Sequence, residues 1–119
     1  MVRRLYAGFN ARDIPAVLAL LDARVAWADG MHGGHLHGRE AVAAYWAKQW
    51  AAIQPDVQPL EIDMRGDREV AVEVRQVVRD LEGGLLLDET VRHVFRIEDG
   101  LVTRFDIENA GGLASIARD

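Results

Sequence analysis

Four polar side chains, Asp29, Gln76, Glu89 and His93, stand where the surrounding pattern calls for apolar ones. Burying a polar group without a partner costs several kcal/mol, so such exceptions carry information. Asp29 closes the segment Val25-Ala-Trp-Ala-Asp29, on the Trp27 side by the two-residue period of a strand. A carboxylate against an apolar wall binds protons more tightly and can act as a general base. An Asp before a Gly also caps its own turn, and the sequence leaves both roles open. His93, between Val91 and Phe95 on the same face, can donate to a substrate oxygen, shuttle a proton, or serve as a bonded core residue. Gln76 and Glu89 are expected to face each other across a hairpin, bonded to one another or to a ligand's polar group.

The stretch Asp29-Gly-Met-His32-Gly-Gly-His35-Leu-His37 gathers three imidazoles and a carboxylate within nine residues. Zinc, iron or copper can use such ligands. The glycines make the segment a pliable loop, however, so surface histidines and no metal or other cofactor are expected. Tyr45, Trp46 and Trp50 are expected on one helix, as core packing or as the aromatic wall of a pocket. Trp27, Phe95, Phe105 and Asn109 are expected to line the same pocket from the strands.

The elements that must position these groups follow from periodicity. Helical spacing covers Met1 to Phe9, with Val2, Leu5, Tyr6 and Phe9 on one side. A second helix starts at the N-cap Asp13 with Pro15 in its first turn, and its stripe is Ile14, Val17, Leu18 and Leu21. The longest helix is expected over Arg39 to Ile53, with Val42, Tyr45, Trp46, Gln49 and Ile53 at helical spacing. Gly66, Gly83-Gly84 and Asp99-Gly100 then mark hairpins between four strands: 58 to 65, 68 to 80, 85 to 98 and 101 to 109.

On these strands Val70, Val72, Val74, Gln76 and Val78 share a face with Leu85, Leu87, Glu89, Val91, His93, Phe95 and Ile97. Leu101, Thr103, Phe105, Ile107 and Asn109 join them as the inner face. The outer face mixes Arg75, Arg79, Arg92, Arg96 and Arg104 with Ala71, Val77, Val94 and Val102, a plausible dimer surface. Helices first and strands after them argue for an α+β fold.

The 119 residues suffice for one domain, expected over 1–110, with 111–119 as a C-terminal tail. There is no cysteine, which excludes disulfides and thiolate chemistry and suits a reducing cytoplasm. The net charge of -5 disfavours nucleic acid as a partner. No apolar run approaches the roughly 20 residues that span a bilayer, and no signal peptide is expected.

Three motifs carry a resemblance: Tyr6-Ala-Gly-Phe-Asn-Ala-Arg-Asp13, Leu36-His-Gly-Arg-Glu-Ala-Val-Ala-Ala-Tyr-Trp46 and His93-Val-Phe-Arg-Ile-Glu-Asp-Gly-Leu-Val102. Over nearly its whole length the chain resembles the nuclear transport factor 2-like superfamily, within it the SnoaL-like and ketosteroid-isomerase-like proteins. The resemblance implies a cystatin-like cone, in which a curved mixed or antiparallel sheet wraps a long helix beside two shorter N-terminal helices. It also implies a pocket at the open end and commonly a homodimer through the outer sheet face. Asp29 then falls where the isomerases carry their proton-abstracting aspartate, and His93 where they carry an oxyanion-hole acid. Their helix-one tyrosine would fall at Leu5. Tyr6 is adjacent but turned by about 100 degrees, so that donor is expected to be missing. SnoaL-like cyclases also use a His and Asp pair; Asp106 on the last strand points outward by strand parity.

The expected reading is a cytoplasmic pocket protein for a small hydrophobic molecule, binding neither nucleic acid nor membrane. As an enzyme it would be a cofactor-independent isomerase, cyclase or dehydratase that abstracts a proton next to a carbonyl, with Asp29 as base and His93 as donor. The alternative is a non-catalytic ligand-binding or accessory domain, which the missing tyrosine favours.

Overall fold

The computed structural model describes residues 1–108. Three helices, α1 (Val2–Asn10), α2 (Ile14–Leu18) and α3 (Arg39–Ala52), pack on one face of a six-stranded sheet. Its strands are β1 (Leu21–Ala28), β2 (His35–His37), β3 (Ile53–Met64), β4 (Glu69–Asp80), β5 (Leu85–Glu98) and β6 (Leu101–Glu108). The sheet order is β2-β1-β6-β5-β4-β3; β1 runs parallel to β6 and every other pair is antiparallel. This is the expected α+β cone with a mixed sheet.

Several boundaries differ from expectation. α2 ends at Leu18 and Leu21 opens β1, three residues later, because Leu21 pairs with Val102 of the sheet. The loop expected over Gly30 to Gly38 contains β2, whose His35–His37 pair with Ala28–Ala26. β3 begins five residues earlier than expected and contains both Pro55 and Pro59. Proline is tolerated there because β3 is an edge strand, with no neighbour on its far side among the described residues.

Bulges make the sheet curve and shift its parity. The ladder passes from Arg96↔Arg104 to Ile97↔Val102, which leaves Thr103 as an extra residue on β6. Val102 therefore turns inward and is fully buried, not outward as strict alternation required, and Leu101 and Thr103 leave the inner face. Leu86 is likewise extra between Leu87 and Leu85, so Leu85 is carried off the inner face and lies 57% exposed. Leu60 is extra on β3. Between these bulges the expected pairing of Gln76 with Glu89 holds, and Val72 stands opposite His93 and Phe95 opposite Phe105.

The core joins α1, α3 and the inner face through Leu5, Val42, Trp46, Val72, Val74 and Phe95. At about 25 cal/mol per Å² of apolar surface, burying each such side chain contributes roughly 1.5–3 kcal/mol. α1 is tied down at its end by Asn10. Its side-chain amide donates to the Val57 carbonyl at 2.7 Å, and its oxygen accepts from the Val57 N–H at 3.0 Å. A side chain thus takes the place of a neighbouring strand on β3.

Candidate functional site

Helix α1 turns Val2, Leu5 and Tyr6 onto its buried side, and Tyr6 reaches across to β5. The Tyr6 hydroxyl meets His93 Nδ1 at 2.7 Å, the two rings 11° from parallel with centroids 5.8 Å apart. The sequence expectation of a missing tyrosine is corrected here. Phasing by resemblance put the position on Leu5, but Tyr6 belongs to the same buried stripe, and α1 presents its hydroxyl to the histidine. The apolar side assigned from helical spacing already contained Tyr6.

Both partners are nearly sealed off, at 3% and 5% exposure. Burial pulls the His93 imidazole down from 6.5 to about 3, and it pushes the Tyr6 phenol well above its ordinary value. Both are neutral at pH 7. Two neutral groups sharing one hydrogen bond leave one with a spare proton: Nε2–H if the phenol donates, the phenolic O–H if the imidazole does. Either way the pair keeps one donor for a further oxygen.

These two groups sit in a hollow between α1, α3 and the inner face. Its free cavity is about 50 Å³, enough for a few waters, whereas an apolar cavity of about 150 Å³ takes a benzene. Aromatic packing closes it down: Trp27 stacks on Phe105 at 4.0 Å, and His93 meets the Phe105 edge at 4.8 Å. Phe95 and Trp46 complete these walls, and Trp46 packs edge-on to Trp27 at 5.2 Å. Among the described residues the polar lining consists of Tyr6, Tyr45, Gln49, Gln76 and His93, with no Lys, Arg, Asp or Glu.

The remaining expected site residues divide. Trp50 stands behind Trp46, stacked on it at 5.9 Å, and does not line the hollow. Glu89 faces Gln76 in the ladder but is not a lining residue, and its buried Oε1 has no partner among the described residues. The expected bond between these two is not formed among the described residues. Asn109 lies outside the described residues. Gln49, Leu5, Phe9, Val57 and Ile107 line the hollow without having been singled out as site residues.

Asp29 lies at the rim. Its neighbours Ala28 and Gly30 line the hollow, but its own carboxylate is held by the loop. Oδ1 accepts from the backbone N–H groups of Met31 at 3.0 Å and His32 at 2.9 Å, and Oδ2 faces His32 Nδ1 at 3.2 Å. That is the turn-capping role the Asp-Gly pair permits. Tyr45 connects the carboxylate to the hollow: burial raises the Tyr45 hydroxyl strongly, and the charge of Asp29 beside it adds to that.

The loop histidines point apart. His32 serves Asp29, while His35 Nε2 meets Asp106 Oδ1 at 2.7 Å on the outer side. Burial alone would raise the Asp106 carboxyl; Arg104 and His35 more than offset this and hold it below the ordinary range. Among the described residues no three His, Cys, Asp or Glu side chains converge as a metal site. No helix among them is long and apolar enough to cross a membrane.

Comparison with known proteins agrees with this architecture. A family model described as SnoaL-like domain matches residues 2–105. No curated protein matches the chain. An NTF2-like protein of unknown function from Burkholderia pseudomallei is similar at 29% identity, covering 97% of this chain and 91% of its own, with a TM-score of 0.83. TerC, co-crystallised with polyporic acid, is similar at 25% identity, with 97% and 92% covered and a TM-score of 0.82. A putative polyketide cyclase from Xanthomonas campestris pv. campestris shares the fold at 22% identity, with 89% and 84% covered and a TM-score of 0.79.

Proposed function

The chain belongs to the SnoaL-like domain family, and from that premise we propose that it binds a small hydrophobic carbonyl compound and moves a proton beside the carbonyl. The observation that carries this reading is the neutral Tyr6–His93 pair, buried at 2.7 Å in an aromatic hollow with a donor to spare. The hollow as it stands, about 50 Å³, is smaller than such a compound, so its aromatic walls part to admit it, and the substrate carbonyl oxygen takes that donor. Asp29 removes the α-proton, the electron pair moves onto the oxygen, and the pair stabilises the enolate. Return of the proton at another carbon isomerises the substrate; attack of the enolate on a second carbonyl cyclises it. A preorganised donor of this kind is worth about 10²–10³ in rate, and a positioned base about 10²–10⁴. The co-crystallisation of the similar TerC with polyporic acid supports a small molecule as occupant.

A reaction-independent assay tests it. Exchange of the α-hydrogens of 2-tetralone for deuterium in heavy water, followed by NMR, is expected to run faster with the protein than in buffer. It is expected to slow in both Tyr6→Phe and Asp29→Asn. No acceleration over buffer, or an unaffected Asp29→Asn, overturns the assignment.

The alternative is a ligand-binding domain without chemistry. The observation favouring it is that the loop already holds the Asp29 carboxylate in a turn-capping role, through the Met31 and His32 N–H groups and beside the His32 ring. Binding of 2-tetralone without any exchange decides for it. For self-association the outer sheet face is the proposed surface, with half-buried Val77 and Val94 among its arginines. A monomer mass by sedimentation overturns that.

A further inference from the structure

We propose that Gln49 and Gln76 form a second polar contact in the hollow, which selects neutral ligands carrying a hydroxyl at the end remote from Tyr6 and His93. The proposal rests on the pocket reading above and extends it to substrate class.

Both amides are 6% exposed and both line the hollow, Gln49 from α3 and Gln76 from β4. The side chain of Gln76 makes no hydrogen bond to any described residue. Gln49 uses only its Nε2, in a long 3.3 Å bond to the Tyr45 hydroxyl, and its Oε1 has no bond to a described residue. Neither amide is fully sealed, since the enclosed unpartnered polar atoms among the described residues are Trp50 Nε1 and Glu89 Oε1; both open onto the hollow, where a Leu or Met would be less costly unless a ligand bonds the amides. Polar groups kept at such a cost commonly mark function.

The spacing sets the shape of the occupant. Val72 is the ladder partner of His93, and Gln76 lies four residues farther along β4, about 13 Å at roughly 3.3 Å per residue. The rest of the lining is largely apolar, with Leu5, Phe9 and Val57 among it. The occupant is therefore polar at one end, apolar in the middle and polar again at the other end. Among the described residues no charged side chain lines the hollow, and Glu89 opposite Gln76 in the ladder disfavours an anion at the far end, so a neutral donor is favoured there. A hydroxyl donates and accepts at once, which matches two amides that each offer both.

Calorimetric titration of two probes that differ only there tests the idea: tyrosol, with a hydroxyl on its ethyl chain, and 4-ethylphenol, without it. Native protein is expected to bind tyrosol at least fivefold tighter, although 4-ethylphenol is the more apolar. That ratio is expected to fall to about one or below in Gln76→Met and to shrink in Gln49→Met. If one variant fails to fold, the other carries the same reading. Tighter or equal binding of 4-ethylphenol by native protein, or a ratio unchanged in both variants, overturns the second contact. Equal binding that Tyr6→Phe weakens leaves the pocket reading standing and removes only this extension; no binding of either probe removes both.

Discussion

The Tyr6 hydroxyl and His93 Nδ1 stand 2.7 Å apart although 87 residues separate them in sequence, and the bond is shut away between α1 and the sheet. It links the N-terminal helix α1 to strand β5 on the inner face. The properties of the hollow depend on it.

Deleting one partner tests its weight. Tyr6→Phe keeps the ring stacked on the imidazole and leaves Nδ1 without its bond inside the protein, which costs about 1–3 kcal/mol. Urea denaturation is expected to show a lower midpoint with an unchanged slope. An unchanged midpoint means the bond contributes nothing.

The histidine also ties stability to acidity. His93 is pulled down to about 3 in the folded protein, against an ordinary 6.5. Between those values the unfolded chain binds the proton and the folded chain does not, so stability falls as pH drops through that window. At about 1.4 kcal/mol per unit the full loss amounts to several kcal/mol. Melting temperature is expected to decline from pH 7 to pH 4, and less so in His93→Gln. A parallel decline in the variant assigns the effect to other groups.

Asp29 has two candidate roles, and one variant separates them. Asp29→Asn keeps an oxygen for the Met31 and His32 N–H groups, so stability is expected to change by less than about 1 kcal/mol. Deuterium exchange into 2-tetralone is expected to fall by about 10²-fold or more. A large loss of stability with undiminished exchange makes it a turn residue only.

Gly8 links the core to the site. A Cβ there would meet Val17 Cγ2 at 2.8 Å, and Val17 is fully buried with a stiff β-branched side chain. Alanine gains about 1 kcal/mol of helix propensity over glycine, and overpacking costs about 1–3 kcal/mol. The clash wins because Val17 has nowhere to turn. Gly8→Ala is expected to lower the melting temperature and to weaken 4-ethylphenol binding, since Tyr6 rides on the displaced helix. A higher melting temperature with unchanged binding shows that Val17 yields instead.

Much of this was legible in the residue pattern. Strict alternation on β4 and β5 put Gln76, Glu89 and His93 on the inner face, because a two-residue period survives wherever no extra residue intervenes. It failed at Thr103 and Leu86, where a bulge inserts one residue and no local composition announces it. β2 is not legible in the sequence because three residues are too few for a period, and its pairing with β1 is a tertiary event. The Tyr6–His93 bond was missed for a different reason: helical spacing names the buried side of α1 but not which hydroxyl meets which imidazole. Turn capping by Asp29 was legible as one of two options, since short Asx contacts depend on neighbours only two or three residues away.

The Asn10 clamp on Val57 reaches beyond the helix it anchors. Residues 55, 57 and 59 would direct their amide groups to the same unpaired side of β3; two are prolines with no hydrogen to give, and the third already gives its own to Asn10. An incoming chain finds no ladder of donors along that stretch, so fibril-like stacking through this margin is blocked. Replacing Asn10 and both prolines together would unmask a sticky border and loosen the helix end that Asn10 holds.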